Sequence, residues 1–165
     1  MSKNVIILGG LGNGTVIAAA MDDANLRGYN EWKFSGYLND RMEKGEMLEG
    51  HPVLGSLKDV PKFLDEDYYF INVIYRIDGQ EDRLKLFESL NIPDSRLAIF
   101  VHPTAYVAPN VKLGPGTVLM PNVSISPGVE FGICNLVMIN AIIGHNTIIG
   151  NHCHFAAQSL SLIHI

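Results

Sequence analysis

A period of six runs from Val107 to Leu160, and it restricts the fold of this chain more than any other feature. With Val107 as the first position of a hexad, the first positions are Val107, Leu113, Leu119, Ile125, Phe131, Val137, Ile143, Ile149 and Phe155, all nine of them apolar. The second positions are Ala108, Gly114, Met120, Ser126, Gly132, Met138, Gly144, Gly150 and Ala156, seven of the nine small. The fifth positions run from Val111 through Thr117, Val123, Val129, Asn135, Ala141, Thr147 and Cys153 to Ser159, and only Asn135 is neither small nor β-branched.

A helix cannot use this period, because its apolar positions recur every three or four residues. A flat sheet needs a period of two, with turn signals between longer strands. A strict period of six suits a solenoid of very short strands, with positions one and five pointing inward and a small second position allowing a tight corner. Three hexads close one triangular coil, so residues 18 apart stack. Val107, Ile125 and Ile143 form one apolar stack, and Leu113, Phe131 and Ile149 another.

Upstream the spacing is different. The apolar run Asn4–Leu8 ends in glycines and reads as a buried parallel strand. GGLGNG, Gly9 to Gly14, follows, and then an apolar-faced helix from Asn13 to Leu26. Strand, glycine loop and helix make a cradle in which free N–H groups and a helix N-terminus face an anion, which marks Gly9, Gly10, Gly12, Asn13 and Gly14 as substrate-binding candidates. The dinucleotide fingerprint is only partly met: Gly10 and Gly12 fit, but Thr15 stands at the third glycine position, which argues against a nicotinamide cofactor and a dehydrogenase-like reading.

A second strand, Lys33–Leu38, ends in Asn39 and Asp40, polar residues at the carboxyl edge of a parallel sheet, where open α/β folds bind ligands. The alternative for these two is an ordinary turn. HPVLGS, His51 to Ser56, leads to a helix over 57–64 with Ser56 and Asp59 spaced as a capping box. Tyr68–Tyr75 reads as a third strand, Asp78 with Glu81 opens a helix reaching Leu90, Asn91-Ile92-Pro93 stops it, and Leu97–Val101 reads as a fourth strand. Strands alternating with helices imply a small parallel α/β domain over 1–101, and His102-Pro103 is the hinge to a solenoid domain over 102–160.

The formal net charge of −5 argues against a nucleic-acid footprint or a polybasic membrane patch. No apolar run approaches the roughly 20 residues that span a bilayer. MSKNVIILGG enters a strand directly and lacks the parts of a signal peptide. Cys134 and Cys153 form no recognisable disulfide or zinc framework. Together these features lead us to expect a reduced, cytoplasmic protein.

The hexads resemble the hexapeptide repeat of the left-handed β-helix acyltransferases. The left-handed sense is implied by that resemblance alone, since ordinary crossovers favour the right-handed one. GGLGNG, GYLND (Gly36 to Asp40), HPVLGS and FVHPTAYVAPN (Phe100 to Asn110), in this order ahead of the hexads, resemble the sugar O- and N-acetyltransferases of the sialic-acid and bacillosamine type. The similarity extends to about Ser159. It implies a Rossmann-like N-terminal domain that holds a sugar or UDP-sugar acceptor. It also implies a β-helix that uses acetyl-CoA as acetyl donor, and a homotrimer with active sites between neighbouring β-helices.

IIGHNTIIG, Ile142 to Gly150, puts His145 at the third position of its hexad, a corner from which a side chain points outward. The resemblance implies that His145 is the general base, taking a proton from the acceptor amine or hydroxyl as it attacks the thioester. Imidazole suits this, with an ordinary pKa of about 6.5. The bland alternative is a surface histidine. The family commonly has Asp or Glu after this His; Asn146 stands here, able to orient the ring but carrying no charge, so a weaker base is expected. His154 matches a second family histidine and is expected to position acetyl-CoA. The γ-class carbonic anhydrases share the β-helix and bind zinc through three histidines, but His145, His152 and His154 have the wrong spacing, and no metal site is expected. The main alternative to an enzyme is a non-catalytic sugar-nucleotide-binding or scaffold homologue, which Asn146 favours.

After Leu160 the register fails: Ser161 stands where an apolar residue is due and Leu162 where a small one is due. Leu160 to Ile165 is also the translation of CTG TCT CTT ATA CAC ATC, an end sequence of transposase-based library adapters. The expectation is therefore a non-native tail over 161–165, a solenoid of three coils shorter than the family's, and an inactive fragment.

Overall fold

The computed structural model describes residues 2–74 and 79–162. Tyr75, Asp78 and the tail residues 163–165 lie outside the described residues, so the expected end of the third strand and the expected helix opening at Asp78 do too. The chain divides into two compact units, Met1–Leu97 and Ala98–Ile165.

The first unit is a parallel α/β sheet. Its strands are β1 (Lys3–Leu8), β2 (Trp32–Leu38), β3 (Met47–Leu48), β4 (His51–Gly55) and β5 (Tyr69–Asn72), in the order β3-β4-β2-β1-β5. β4, β2, β1 and β5 run parallel, and β3 folds back antiparallel on β4 as a hairpin that the sequence reading did not anticipate. The helices are α1 (Asn13–Leu26), α2 (Val60–Asp65) and α3 (Gln80–Ser89). β1 is the central strand. Val5, Ile6, Ile7 and Leu8 are fully buried, as expected for a strand covered on both faces. The Ser56/Asp59 capping box forms, opening a short 3-10 turn that runs into α2. Gly36 is required: its φ is +140°, and a Cβ there would lie 2.2 Å from the Pro52 carbonyl oxygen of β4.

The second unit is a triangular parallel solenoid. One face carries β6 (Phe100–Val101), β8 (Val118–Leu119), β11 (Leu136–Val137) and β14 (His154–Phe155). The next carries β7 (Tyr106–Val107), β9 (Ser124–Ile125), β12 (Ile142–Ile143) and β15 (Leu160–Ser161). The third holds β10 (Glu130–Phe131) and β13 (Ile148–Ile149), with Lys112 bridged to Glu130. Val107 pairs beside Ile125 and Ile125 beside Ile143, the 18-residue stacking that the hexads predict. The pairing continues to Ser161, which aligns with Ile143 although the side-chain pattern has changed there.

The expected fourth strand over 97–101 divides. Leu97 makes a single parallel bridge to Phe70, whereas Phe100–Val101 pairs with Val118–Leu119 as the first rung of the solenoid. Val101 stands six residues before Val107, so the hexad register already governs it.

The corners use a position that the pattern reading passed over. Gly116, Asn122, Gly128, Cys134, Asn140, Asn146, His152 and Gln158 all have positive φ, and each is the fourth residue of its hexad. Five of these eight are Gly or Asn, the residues that enter the left-handed region at least cost. The second position is small for another reason. A Cβ on Gly114 would lie 2.1 Å from the Gly132 carbonyl oxygen of the next coil, so the two backbones meet there.

Candidate functional site

A cavity of about 250 Å³ opens at the carboxyl edge of the α/β sheet. Gly9, Gly10 and Leu11 form one wall, Asn39, Asp40, Arg41 and Met42 a second, and Val73, Ile74, Arg83 and Leu86 a third, with Leu38 and Leu57 between them. The volume lies below the roughly 300–1,000 Å³ of typical ligand clefts. It sits here because β1, β2 and β5 run parallel and deliver their loops to the same edge.

Of the candidates in the glycine loop, Gly9 and Gly10 line this cavity; Gly12, Asn13 and Gly14 are not among its walls. Gly10 is tight. A Cβ there would lie 2.7 Å from Asn39 Nδ2 and 3.0 Å from Leu48 of the hairpin. Gly12, with φ +82°, is the N-cap of α1 and offers no side-chain cap. Gly14 is buried with Ile7, Val73 and Tyr37 around it, so the close helix–strand contact falls at 14, one residue before the fingerprint's third glycine. The amides of Gly10, Leu11, Gly12 and Asn13 make no hydrogen bond among the described residues, which leaves donors at the positive end of α1.

Asn39 and Asp40 both line the cavity, and both also hold the local backbone. Asn39 Oδ1 accepts the Arg41 N–H at 2.9 Å, and Asp40 Oδ1 accepts the Leu57 N–H at 2.8 Å. The functional and turn readings of this pair therefore coincide in space. Sequence reasoning missed Arg41 and Arg83. Arg83 sits in the first turn of α3, and its spacing from the glycine loop gives no local signal; only the sheet brings them together. The HPVLGS stretch serves packing: His51 Nε2 lies 2.8 Å from Asp22 Oδ2 of α1, and its ring meets Phe34 edge-on.

On the solenoid, His145 and Asn146 form the exposed corner between β12 and β13. Asn146 takes a left-handed φ of 56°, and its Nδ2 lies 3.2 Å from His145 Nδ1. The corner conformation supplies a backbone reason for Asn at 146, since Asn is the residue other than Gly that most readily adopts it. His154 lies on β14, on a different face of the prism from β12, partly buried, and burial holds its imidazole below the ordinary His value. Among the described residues no group of three or more His, Cys, Asp or Glu is placed to hold a metal. Burial also raises the Cys153 thiol above its ordinary value, against a bond from Gly150 that lowers it. No helix among the described residues is long and apolar enough to cross a membrane.

No protein-family model and no curated protein sequence matches this chain. Solved structures do. The acetyltransferase domain of PglB from Neisseria gonorrhoeae is 22% identical, with a TM-score of 0.72 over 93% of this chain and 70% of that one. GDP-perosamine N-acetyl transferase from Caulobacter crescentus, in complex with CoA and GDP-perosamine, is 22% identical, with a TM-score of 0.77 over 95% and 70%. WeeI from Acinetobacter baumannii is 18% identical, with a TM-score of 0.71 over 98% and 73%. The chain has the fold of these acetyltransferases. That fold is consistent with the left-handed sense expected for the solenoid.

Proposed function

We propose that this chain belongs to the sugar acetyltransferases, moving an acetyl group from acetyl-CoA to an amine or hydroxyl of a sugar or nucleotide-sugar. The observation that carries the reading is the shared fold of both units with acetyltransferases, one of them holding CoA and GDP-perosamine. The Rossmann-like α/β unit would hold the acceptor at Gly9, Gly10, Asn39 and Asp40. The solenoid would hold acetyl-CoA, with His154, whose imidazole burial holds below the ordinary His value, as a positioning residue. His145 is the proposed base: its imidazole takes the acceptor's proton as the nitrogen or oxygen bonds to the acetyl carbon, the C–S bond breaks, and CoA leaves with its thiol reprotonated. A homotrimer in the cytoplasm completes the proposal. Burial of solenoid surface by other copies, of whatever number, is supported by exposed apolar side chains there, with Tyr106 60%, Ile148 83% and Leu160 62% exposed.

The test is acetyl-CoA consumption against a panel of amino sugars and nucleotide-linked amino sugars, with the native protein and His145→Ala. Turnover abolished by His145→Ala supports the base; turnover that survives it removes His145 from the chemistry.

One observation favours the second reading, a non-catalytic sugar-nucleotide-binding homologue. Asn146 Nδ2 lies 3.2 Å from His145 Nδ1, and in the tautomer that accepts this N–H the proton sits on Nε2, which then offers no lone pair to an acceptor. Acceptor binding without turnover on the whole panel would put that reading first.

A further inference from the structure

At two corners of the solenoid a glycine stands one coil below a residue with a side chain. Gly116 lies below Cys134 and Gly128 below Asn146, all four at the fourth position of their hexads and all with positive φ. In both columns the upper side chain folds back over the glycine. A Cβ on Gly116 would lie 2.9 Å from Cys134 Sγ, and a Cβ on Gly128 would lie 2.2 Å from Asn146 Oδ1 and 3.3 Å from its Cγ. At the third corner Asn122 stands below Asn140 and carries a Cβ of its own. The backbone around Gly128 is tied to the coils on either side. Its N–H donates to Asn110 Oδ1 at 3.2 Å, and the Asn146 N–H donates to the Pro127 carbonyl at 3.0 Å. The Asn146 carboxamide therefore lies across a fixed glycine, and its other end, Nδ2, is 3.2 Å from His145 Nδ1. That distance is at the long end of the ordinary range of about 2.7–3.2 Å, so moving the carboxamide by about 1 Å breaks the contact.

We propose that Gly128 is a positioning residue for His145: the space left by its missing Cβ seats the Asn146 carboxamide, which biases the imidazole to the tautomer with its proton on Nε2. In that tautomer Nδ1 accepts the Asn146 N–H. A Cβ at 128 would take the place of Oδ1, drive the carboxamide off the glycine and release the ring to both tautomers. The meaning of this for acetyl transfer rests on the reading of His145 as the base, in which a proton held on Nε2 restrains the base. The tautomer ratio itself is a property of the corner and is read without substrate.

The experiment is nitrogen NMR of the neutral imidazoles in the full chain, with His145→Gln identifying the His145 signals. The variants are Gly128→Asn, Gly116→Asn, Asn146→Gly and the double variant Gly128→Asn/Asn146→Gly, Asn being chosen because it enters the left-handed region readily. Native His145 should be mainly the Nε2–H tautomer. Gly128→Asn should lower the ratio of Nε2–H to Nδ1–H by about threefold or more, the loss of one hydrogen bond. Gly116→Asn, at φ +74° against +76°, imposes the same backbone demand at another corner and should leave the ratio unchanged. With Asn146→Gly already in place, Gly128→Asn should change nothing further. An equal ratio in native and Gly128→Asn protein, equal effects of the two glycine variants, or a native ring mainly in the Nδ1–H form overturns the proposal. Should Gly128→Asn not fold, the double variant decides. Folding restored by Asn146→Gly locates the clash in the carboxamide, as proposed; a double variant that also fails to fold assigns the glycine to the backbone alone and overturns it. Failure of the transferase reading looks different: a Gly128-dependent ratio with no acetyl transfer by any variant leaves this inference standing.

Discussion

Asn146 Nδ2 lies 3.2 Å from His145 Nδ1, so the residue after the proposed base addresses the imidazole with an amide where a carboxylate would carry a charge. A carboxylate at 146 would instead accept from Nδ1–H, leave a lone pair on Nε2 and stabilise the imidazolium. The position tolerates the change, because Asp, like Asn, enters the left-handed region more readily than most residues. Asn146→Asp is expected to raise the acetyl-transfer rate by about tenfold at neutral pH if His145 is the base. Nitrogen NMR of the imidazole should show the Nδ1–H tautomer increasing. An unchanged tautomer with an unchanged rate would show that residue 146 serves the corner alone.

Asn135 is the exception among the fifth positions, and the structure gives it a use. It is 1% exposed; its Nδ2 donates to the carbonyls of Gly132 and Gly150 at 2.9 Å, and its Oδ1 accepts the Cys153 N–H from the next coil at 2.8 Å. Replacing it with Leu removes the bonds to the Gly150 carbonyl and the Cys153 N–H and leaves the Gly132 carbonyl with only the long contact from Thr117 Oγ1. Asn135→Leu is expected to cost about 2–4 kcal/mol in urea unfolding, despite adding apolar volume. A stabilised Asn135→Leu would mean that water replaces these bonds.

Two glycines at the same hexad position should behave in opposite ways. A Cβ on Gly114 meets the Gly132 carbonyl oxygen at 2.1 Å and Gly132 C at 2.5 Å, whereas a Cβ on Gly150 meets nothing within 4 Å. Neither has positive φ, so the contrast is purely of space. Gly114→Ala should destabilise by about 2 kcal/mol or more, and Gly150→Ala should be neutral or stabilising by up to about 1 kcal/mol, through the unfolded chain. Thermal melts of the pair decide it, and equal effects would refute the assigned close approach.

Burial holds the His154 imidazole below its ordinary value. As pH falls, the unfolded chain therefore takes up this proton before the folded one does. The stability linked to His154 is fully present above about pH 6.5 and is lost progressively below it, towards the lower folded value. Urea midpoints at pH 7.5 and 5.5 should fall further for the native protein than for His154→Gln. Identical falls would assign the pH dependence to other groups.

Much of this was legible locally. Asn13–Leu26 forms α1 with those bounds, because a glycine loop before it and an apolar face along it are both written in adjacent residues. The stacking of Val107, Ile125 and Ile143 follows from a period, and a period needs no knowledge of the rest of the chain. The hairpin of β3 and β4 was missed because Met47–Leu48 is two residues long and carries no alternation. Leu97–Val101 was misassigned because an apolar run fits either unit, and pairing with Phe70 or with Val118–Leu119 decides between them.

The solenoid, the 18-residue stacking and the outward placement of His145 follow from spacing, since each depends only on which residue recurs at which interval. The tertiary structure alone decided the contents of the cavity. Gly10, Asn39 and Arg83 are far apart along the chain, and they meet because β1, β2 and β5 are parallel neighbours that deliver their loops to one edge. It also decided that Asp40 caps Leu57, that Asn135 ties coil to coil, and that Asn146 occupies a left-handed corner. A pattern specifies which way a side chain points; only strand pairing specifies what it meets there.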